Sequence, residues 1–387
     1  MSWPTVELQQ LAERRKGAIV SGPFGSNISA KFFVENGVPV IRGNNLTKGR
    51  EKFIDEGFAY LSESKAAEFR NCIAIKDDII FTAAGSIGQV GIIPANAKFE
   101  EYVISNKQLR VRLDRTICDP DFVFAWLSSA KMVRYLENMN NGGAVPLLNL
   151  GIIRKVPVPL PPLTTQRKVA RRVFAYDDLI ENNRRRIALL EEAARLLYRE
   201  WFVHFRFPGH EHAKFIDGLP EGWRRSNFGE VAELKYGKAL KAEYRVEGEF
   251  AVYGSSGVVG SHKAAFVDGP AIVVGRKGNV GSIFWVPSDF WPIDTVYYIS
   301  SEQSDLWLYL SLPNVGFMNT DAGVPGLNRD FAYSRKLVCP PERVRALFNE
   351  EVGPMFAQRN TLEHYNQKLA QARDLLLPRL MSGELTV

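Results

Sequence analysis

Few side chains in this 387-residue chain could do covalent chemistry, and their spacing gives them none to do. Three of the five histidines, His204, His210 and His212, crowd into "HFRFPGHEH", which raises the question of a metal site. No cysteine stands near them, and they lie between a helix end and a Pro-Gly loop, so an interdomain linker is the better account. Cys72, Cys118 and Cys339 are scattered singly, with neither metal-ligand spacing nor a disulfide framework. Each reads as a small buried hydrophobe in a protein of the reducing cytoplasm. The motifs G-x-x-x-x-G-K-[ST], H-E-x-x-H and G-x-S-x-G are absent, as is any Asn-Pro dipeptide. The expectation is a chain with no catalytic residue and no metal of its own.

Two glycine-rich stretches are the next candidates: "FTAAGSIGQVGIIP", Phe81 to Pro94, and "VGRKGNVGSIFWVP", which starts at Val274. Each reads as an apolar strand, a turn with a G-x-x-G core, a second apolar strand and a proline stop. A phosphate cradle would need a helix N-terminus after the glycines. Strand-like residues follow instead, and tight-turn geometry accounts for the glycines.

The elements that must carry these hairpins form a duplication. "GGAVPLLN" (Gly142 to Asn149) returns as "DAGVPGLN" (Asp321 to Asn328), matching Pro146 with Pro325 and Asn149 with Asn328. The same offset of 179 carries Pro161 and Pro162 onto Pro340 and Pro341. At an offset of 220, Trp3, Leu8, Leu11 and Gly17 fall on Trp223, Phe228, Val231 and Gly237. Short β-branched runs ("DDIIFTAAG", "AIVVG", "VYYIS") interleaved with patches such as "FVFAWLSSAKMVRYLENM" make each copy a mixed α/β region.

A long helix closes each copy. After "LPPLTTQ", with Thr164 or Thr165 as N-cap, apolar residues fall at Val169, Val173, Tyr176, Ile180, Ile187, Leu190, Ala194, Leu197 and Trp201, and Asn183 fills the one gap. That is a heptad seam with a single polar position. The second helix keeps one row, Met355, Leu362, Leu369 and Leu376. Its partner row is mostly polar: Arg359, Asn366 and Arg373, ending in Leu380. The first helix would be about 57 Å long. Left alone its seam would be wet, so the two helices are expected to pair with each other, antiparallel. The expected segments are 1–163 and 207–342 as globular domains and 164–206 and 343–387 as helical arms.

Composition agrees with a soluble globular chain: 45% apolar and 24% charged, with no run approaching the ~20 apolar residues of a membrane span. The net charge of +6 is concentrated in the arms. Thr164 to Arg206 holds ten Lys/Arg against six Asp/Glu, and Arg335 to Val387 holds eight against six. The globular regions are near neutral, and neutral surfaces alone bind nucleic acid poorly.

The alternation of two α/β regions with two long helices, the "GRKGNVG" and "AAGSIGQVG" hairpins, and "PLLNLGIIRKVPVPLPPLTTQRKVA" leading into a helix resemble the specificity (S) subunit of type I restriction-modification systems. "YGSSGVVG" followed by "FWPIDTVYYI", and "SNKQLRVRL" in the first half, extend the likeness over the whole chain. The resemblance implies an α/β fold with two target recognition domains joined by an antiparallel coiled coil. Each domain would read one half of a bipartite, asymmetric double-stranded DNA site. The helices would fix the gap, below a ceiling of about 17 base pairs at ~3.4 Å each, and would dock two adenine methyltransferase subunits. Translocase-nuclease subunits would join for cleavage. It also implies a non-catalytic chain, with S-adenosylmethionine, ATP and Mg held by the partners.

On that footing the DNA-contact candidates are Arg42, Asn44, Asn45, Lys48, Ser86 and Gln89 in the first domain. In the second they are Tyr253, Ser255, Ser256, Arg276, Lys277 and Asn279. Arg pairs bidentately with guanine and Asn or Gln with adenine, whereas Lys and Ser more often hold phosphate. Arg184, Arg185 and Arg186 are candidates for partner docking. The first hairpin lacks the Arg-Lys pair of the second, so contacts need not be symmetrical. The rival functions are a coiled-coil scaffold with two protein-interaction domains, and an enzyme whose dispersed residues show no motif.

Overall fold

A computed structural model of the chain describes residues 3–139, 147–319 and 326–385. Pro146 and Pro325, matched in the repeat, lie outside the described residues. The chain forms two compact units: Met1–Asn182 with Asn366–Val387, and Asn183–Tyr365. The long helices, Leu163–Tyr198 and Glu342–Ser382, are shared, so each unit holds a segment of both.

The first unit is built on a four-stranded antiparallel sheet in the order Ile19–Ser21, Gln108–Val111, Ile79–Thr82, Val90–Ile92. Beside it lies a five-stranded sheet in which Val38–Ile41 runs parallel to Tyr102–Ile104. Phe81, Phe122 and Phe124 are fully buried, and the core continues into Val169, Val173 and Phe174 of one long helix and Leu377, Leu380 and Met381 of the other. The patch "FVFAWLSSAKMVRYLENM" divides into two helices, Pro120–Leu127 and Ala130–Asn138. Ser129 caps the second of them by accepting the Met132 N–H, which interrupts what periodicity alone would join.

The second unit repeats this plan. Its four-stranded sheet runs Lys235–Tyr236, Val296–Ile299, Ala271–Gly275, Ile283–Val286, and Phe250–Gly254 runs parallel to Phe290–Pro292. Trp307, Phe228 and Phe348 are fully buried, packed with Tyr198 at the end of the first long helix and with Trp201 and Phe202 in the π-helical turn Arg199–Val203 that follows it.

The duplication holds at the level of register. Thr5, Val6 and Glu7 pair with Pro159, Val158 and Pro157, and at the two offsets Arg225, Ser226 and Asn227 pair with Val338, Leu337 and Lys336. Asn149 and Asn328, matched in the sequence, both cap short helices, Leu150–Arg154 and Arg329–Ser334. One match needs correction. Gly237 corresponds to Gly22, not Gly17. Each precedes the same crossing: a Cβ on Gly22 would lie 1.9 Å from the Ser105 carbonyl, and one on Gly237 2.0 Å from that of Ile293. The loop after Leu11 is five residues longer than its counterpart, and a constant offset missed the insertion.

Every expected seam position on the first helix, Val169 through Trp201 with Asn183, is buried or half-buried. So are Met355, Leu362, Leu369 and Leu376 on the second. The polar partner row is explained by charge. Arg373 meets Asp177 in the first unit, and Arg359 meets Glu191 at 2.6 Å in the second. The first helix opens at Leu163, ahead of the expected Thr caps. The Pro162 carbonyl accepts the N–H of Thr165 and of Gln166, as the Pro341 carbonyl accepts those of Val344 and Arg345. Fully buried Gln166 ties this turn to the domain, accepting the Asp119 N–H at 2.8 Å and donating to the Pro161 carbonyl at 2.8 Å.

Candidate nucleic-acid interface

In each unit the chain leaves the parallel strand pair through a tight turn, and that turn meets the G-x-x-G hairpin. In the first unit the turn is Gly43–Asn45. Gln89, at the end of the hairpin, donates to the Leu46 carbonyl at 2.9 Å and accepts from the Thr82 hydroxyl at 2.9 Å. In the second unit the turn follows Gly254. There the Ser255 hydroxyl accepts the Asn279 N–H at 3.4 Å, and the Ser282 hydroxyl donates to the Ser255 carbonyl at 2.6 Å. Gly85 and Gly88 have φ of 89° and 93°, and Gly278 and Gly281 have 76° and 75°. These left-handed positions give both hairpins one backbone shape, which a side chain would strain.

Candidates far apart in the sequence are thus brought together, while the roles of individual side chains divide. Asn44 and Ser86 are exposed in the first unit, as are Ser256, Lys277 and Asn279 in the second. Asn45 is fully buried. Its amide donates to the Ile54 and Glu56 carbonyls and accepts the Arg42 N–H, so its hydrogen-bonding capacity is spent on shaping the turn. Gln89 likewise braces, holding turn and hairpin together. Lys48 pairs with Glu137 at 2.6 Å. Arg42 donates to the Gly57 carbonyl at 3.1 Å, with its Nε buried and unpartnered. Tyr253 packs edge-on against Phe290, and burial pushes its hydroxyl pKa up, so the phenol stays neutral. Arg276 lies against the rings of Tyr236 and Tyr297, its guanidinium carbon 5.0 and 5.7 Å from their centroids, and donates to the Asp294 carbonyl. Arg184, Arg185 and Arg186 are exposed on the first long helix.

Two buried charge clusters position the first unit's surface. Arg112 makes a two-pronged contact with Asp78, at 2.8 and 2.6 Å, beside the buried Arg110. Arg50, on the loop after the Gly43–Asn45 turn, reaches inward to the Ala125 carbonyl and the Ser128 hydroxyl. Its Nε stands 3.6 Å from Asp177. Desolvation lowers the Arg50 pKa to about 10, against the opposing pull of Asp177. Nothing in the sequence singled out Arg50, because its acid partner lies more than a hundred residues away.

Among the described residues no group of three or more His, Cys, Asp and Glu is placed to hold a metal. His210 instead caps a turn through the Phe207 carbonyl. No helix of the structure is long and apolar enough to cross a membrane.

The comparisons with known proteins agree with this arrangement. The family model described as the type I restriction modification DNA specificity domain matches residues 2–192 and 220–320. The chain is similar to the MjaIX specificity subunit of Methanocaldococcus jannaschii, at 21% identity over all of this chain and 94% of the relative. It is also similar to the HindI specificity subunit of Haemophilus influenzae, at 22% identity over 78% of this chain and 86% of the relative. The crystal structure of a type I restriction-modification S subunit from M. genitalium shares the fold, with a TM-score of 0.59 at 15% identity over 98% of this chain and 96% of that one.

Proposed function

Because the chain belongs to the type I restriction-modification specificity subunits, we propose that its two units each read one half of a bipartite, asymmetric DNA site. The long helices set the gap between the halves and dock two adenine methyltransferase subunits. Translocase-nuclease subunits complete the complex. The chain is non-catalytic in this reading: methyl transfer from S-adenosylmethionine, and steps that need ATP and Mg, belong to the partners. The chain works in the cytoplasm.

One observation carries the reading. Two units with matching strand registers present the same turn-on-hairpin platform but different side chains upon it. Ala83 and Ala84 stand where the second unit has Arg276 and Lys277, as the bridges Ala84 to Leu147 and Lys277 to Gly326 show. One scaffold with two faces suits a reader of two unlike half-sites, since base edges are distinguished by the donors and acceptors presented to them. The basic excess of the arms suits a subunit that relies on its partners for much of the electrostatic hold on DNA.

The test is to co-express the chain with an adenine methyltransferase subunit from the same system and map methylated adenines across a genome. The reading expects one split motif with unlike halves and a fixed gap. Methylation at a single unbroken motif, or none dependent on this chain, contradicts it.

A further inference from the structure

Tyr236 is half exposed, at 49%, and two guanidinium groups converge on its ring. The Arg276 carbon is 5.0 Å from the ring centroid and that of Arg329 is 5.2 Å. Arg329 also lies 5.9 Å from Tyr333. Beneath them, buried Tyr297 packs on Tyr236 at 5.0 Å and donates its hydroxyl to the Leu327 carbonyl at 3.1 Å, so the platform is fixed. Among the described residues neither arginine has a carboxylate at ion-pair distance, whereas Arg112, Arg359 and Arg373 all do.

Both arginines are half-buried, and two like charges gathered on one ring repel each other. Attraction to the ring, on the order of 1 kcal/mol at exposed sites, orients them without neutralising them. A guanidinium laid against a ring keeps its N–H edge free for a planar, two-pronged acceptor. The first unit has no counterpart. Its equivalent positions by register are Ser21, which pairs with Leu109 as Tyr236 pairs with Tyr297, and Leu150 and Ala83.

We propose that Arg329, held on the Tyr236 ring beside Arg276, grips a backbone phosphate flanking the second half-site. Tyr236 is a positioning residue, and the contact is asymmetric between the two units. The inference rests on the DNA-specificity reading above and adds to it a sequence-independent contact made by one unit alone.

The experiment measures duplex binding by the full chain in complex with its methyltransferase subunits, over a range of salt concentrations. The probes are the methylated motif and the same duplex with the second half scrambled. Arg329→Ala should weaken both about tenfold and make the slope of log affinity against log salt shallower by about one, with the methylated motif unchanged. Arg329→Lys should restore most of the affinity, and Tyr236→Phe should behave as wild type. Tyr236→Ala should weaken binding in the manner of Arg329→Ala. Each variant's thermal unfolding shows that it is folded. Unchanged affinity and slope in Arg329→Ala would overturn the phosphate contact, as would an altered motif, which would make Arg329 a base reader. Wild-type complex that shows no salt-dependent duplex binding defeats the specificity reading itself. Normal wild-type binding with indifferent variants defeats only this inference.

Discussion

Arg359 donates through Nε to Glu191 at 2.6 Å, one long helix to the other. Fourteen residues onward along the second helix, and fourteen back along the first, Arg373 meets Asp177. Two heptads separate each like pair, and the helices are antiparallel, so one register serves both units. In the row that looks polar in the second helix, Arg359 and Arg373 therefore stand opposite acids of the first, with Asn366 between them. Such cross-helix ion pairs select register and orientation more than they add stability.

The Asp177 pair is the more consequential because Arg50 and Arg373 both depend on it. Asp177→Ala leaves the buried Arg50 guanidinium with no acid at ion-pair distance and leaves Arg373 with Asp374 alone, and a stranded buried charge costs about 3–5 kcal/mol. Asp177→Asn keeps the volume and should destabilise nearly as much. Denaturant unfolding, compared at constant slope, measures both.

Asn45 separates a structural role from a contact role. Asn45→Ala strands the Arg42 N–H and removes the donor from the Ile54 and Glu56 carbonyls. The expected cost is about 2–4 kcal/mol of stability, with loss of recognition following from the misshapen turn. Asn44→Ala, one residue earlier and exposed, should leave stability within about 0.5 kcal/mol and lower affinity only for the first half-site. Equal stability of the two variants by thermal unfolding contradicts this division.

Arg276 stands at the root of the second hairpin. Arg276→Ala should weaken binding by about 1–3 kcal/mol and relax the motif in one half only. Competition between duplexes altered in either half, at stated salt, checks this. A uniform loss across both halves contradicts a role confined to the second unit.

Much of this was legible beforehand, and the reasons differ by element. The long helices announced themselves because heptad spacing is a local property, and all the expected seam positions are shielded. The duplication was visible through prolines, asparagines and glycines, whose backbone roles resist substitution. Where the loop after Leu11 changed length, a constant offset carried the match to Gly17 when the close approach to the Ser105 carbonyl requires Gly22. The roles of Asn45 and Gln89 were not legible, since whether a polar side chain faces inward depends on strands that pair across fifty residues. Tyr236 and Arg329 escaped for the same reason: only the folded sheet sets them beside Arg276.

The exposed triplet Arg184, Arg185 and Arg186 tests docking. Replacing all three with Glu reverses three charges on the helix surface. Co-purification with the methyltransferase subunit should drop at least tenfold, more steeply at low salt, because such attraction is screened. Undiminished co-purification contradicts their role in docking.

The claim that the helices act as a ruler is tested most directly by lengthening them. Seven residues inserted after Asn182 and seven after Tyr365, in matching heptad phase, extend the paired helices by about 10 Å, or roughly three base pairs. Mapped methylation should show both half-site sequences intact, with the gap between them wider by about that number. Methylation at the original spacing, from a folded variant that still binds its partner, would contradict the account.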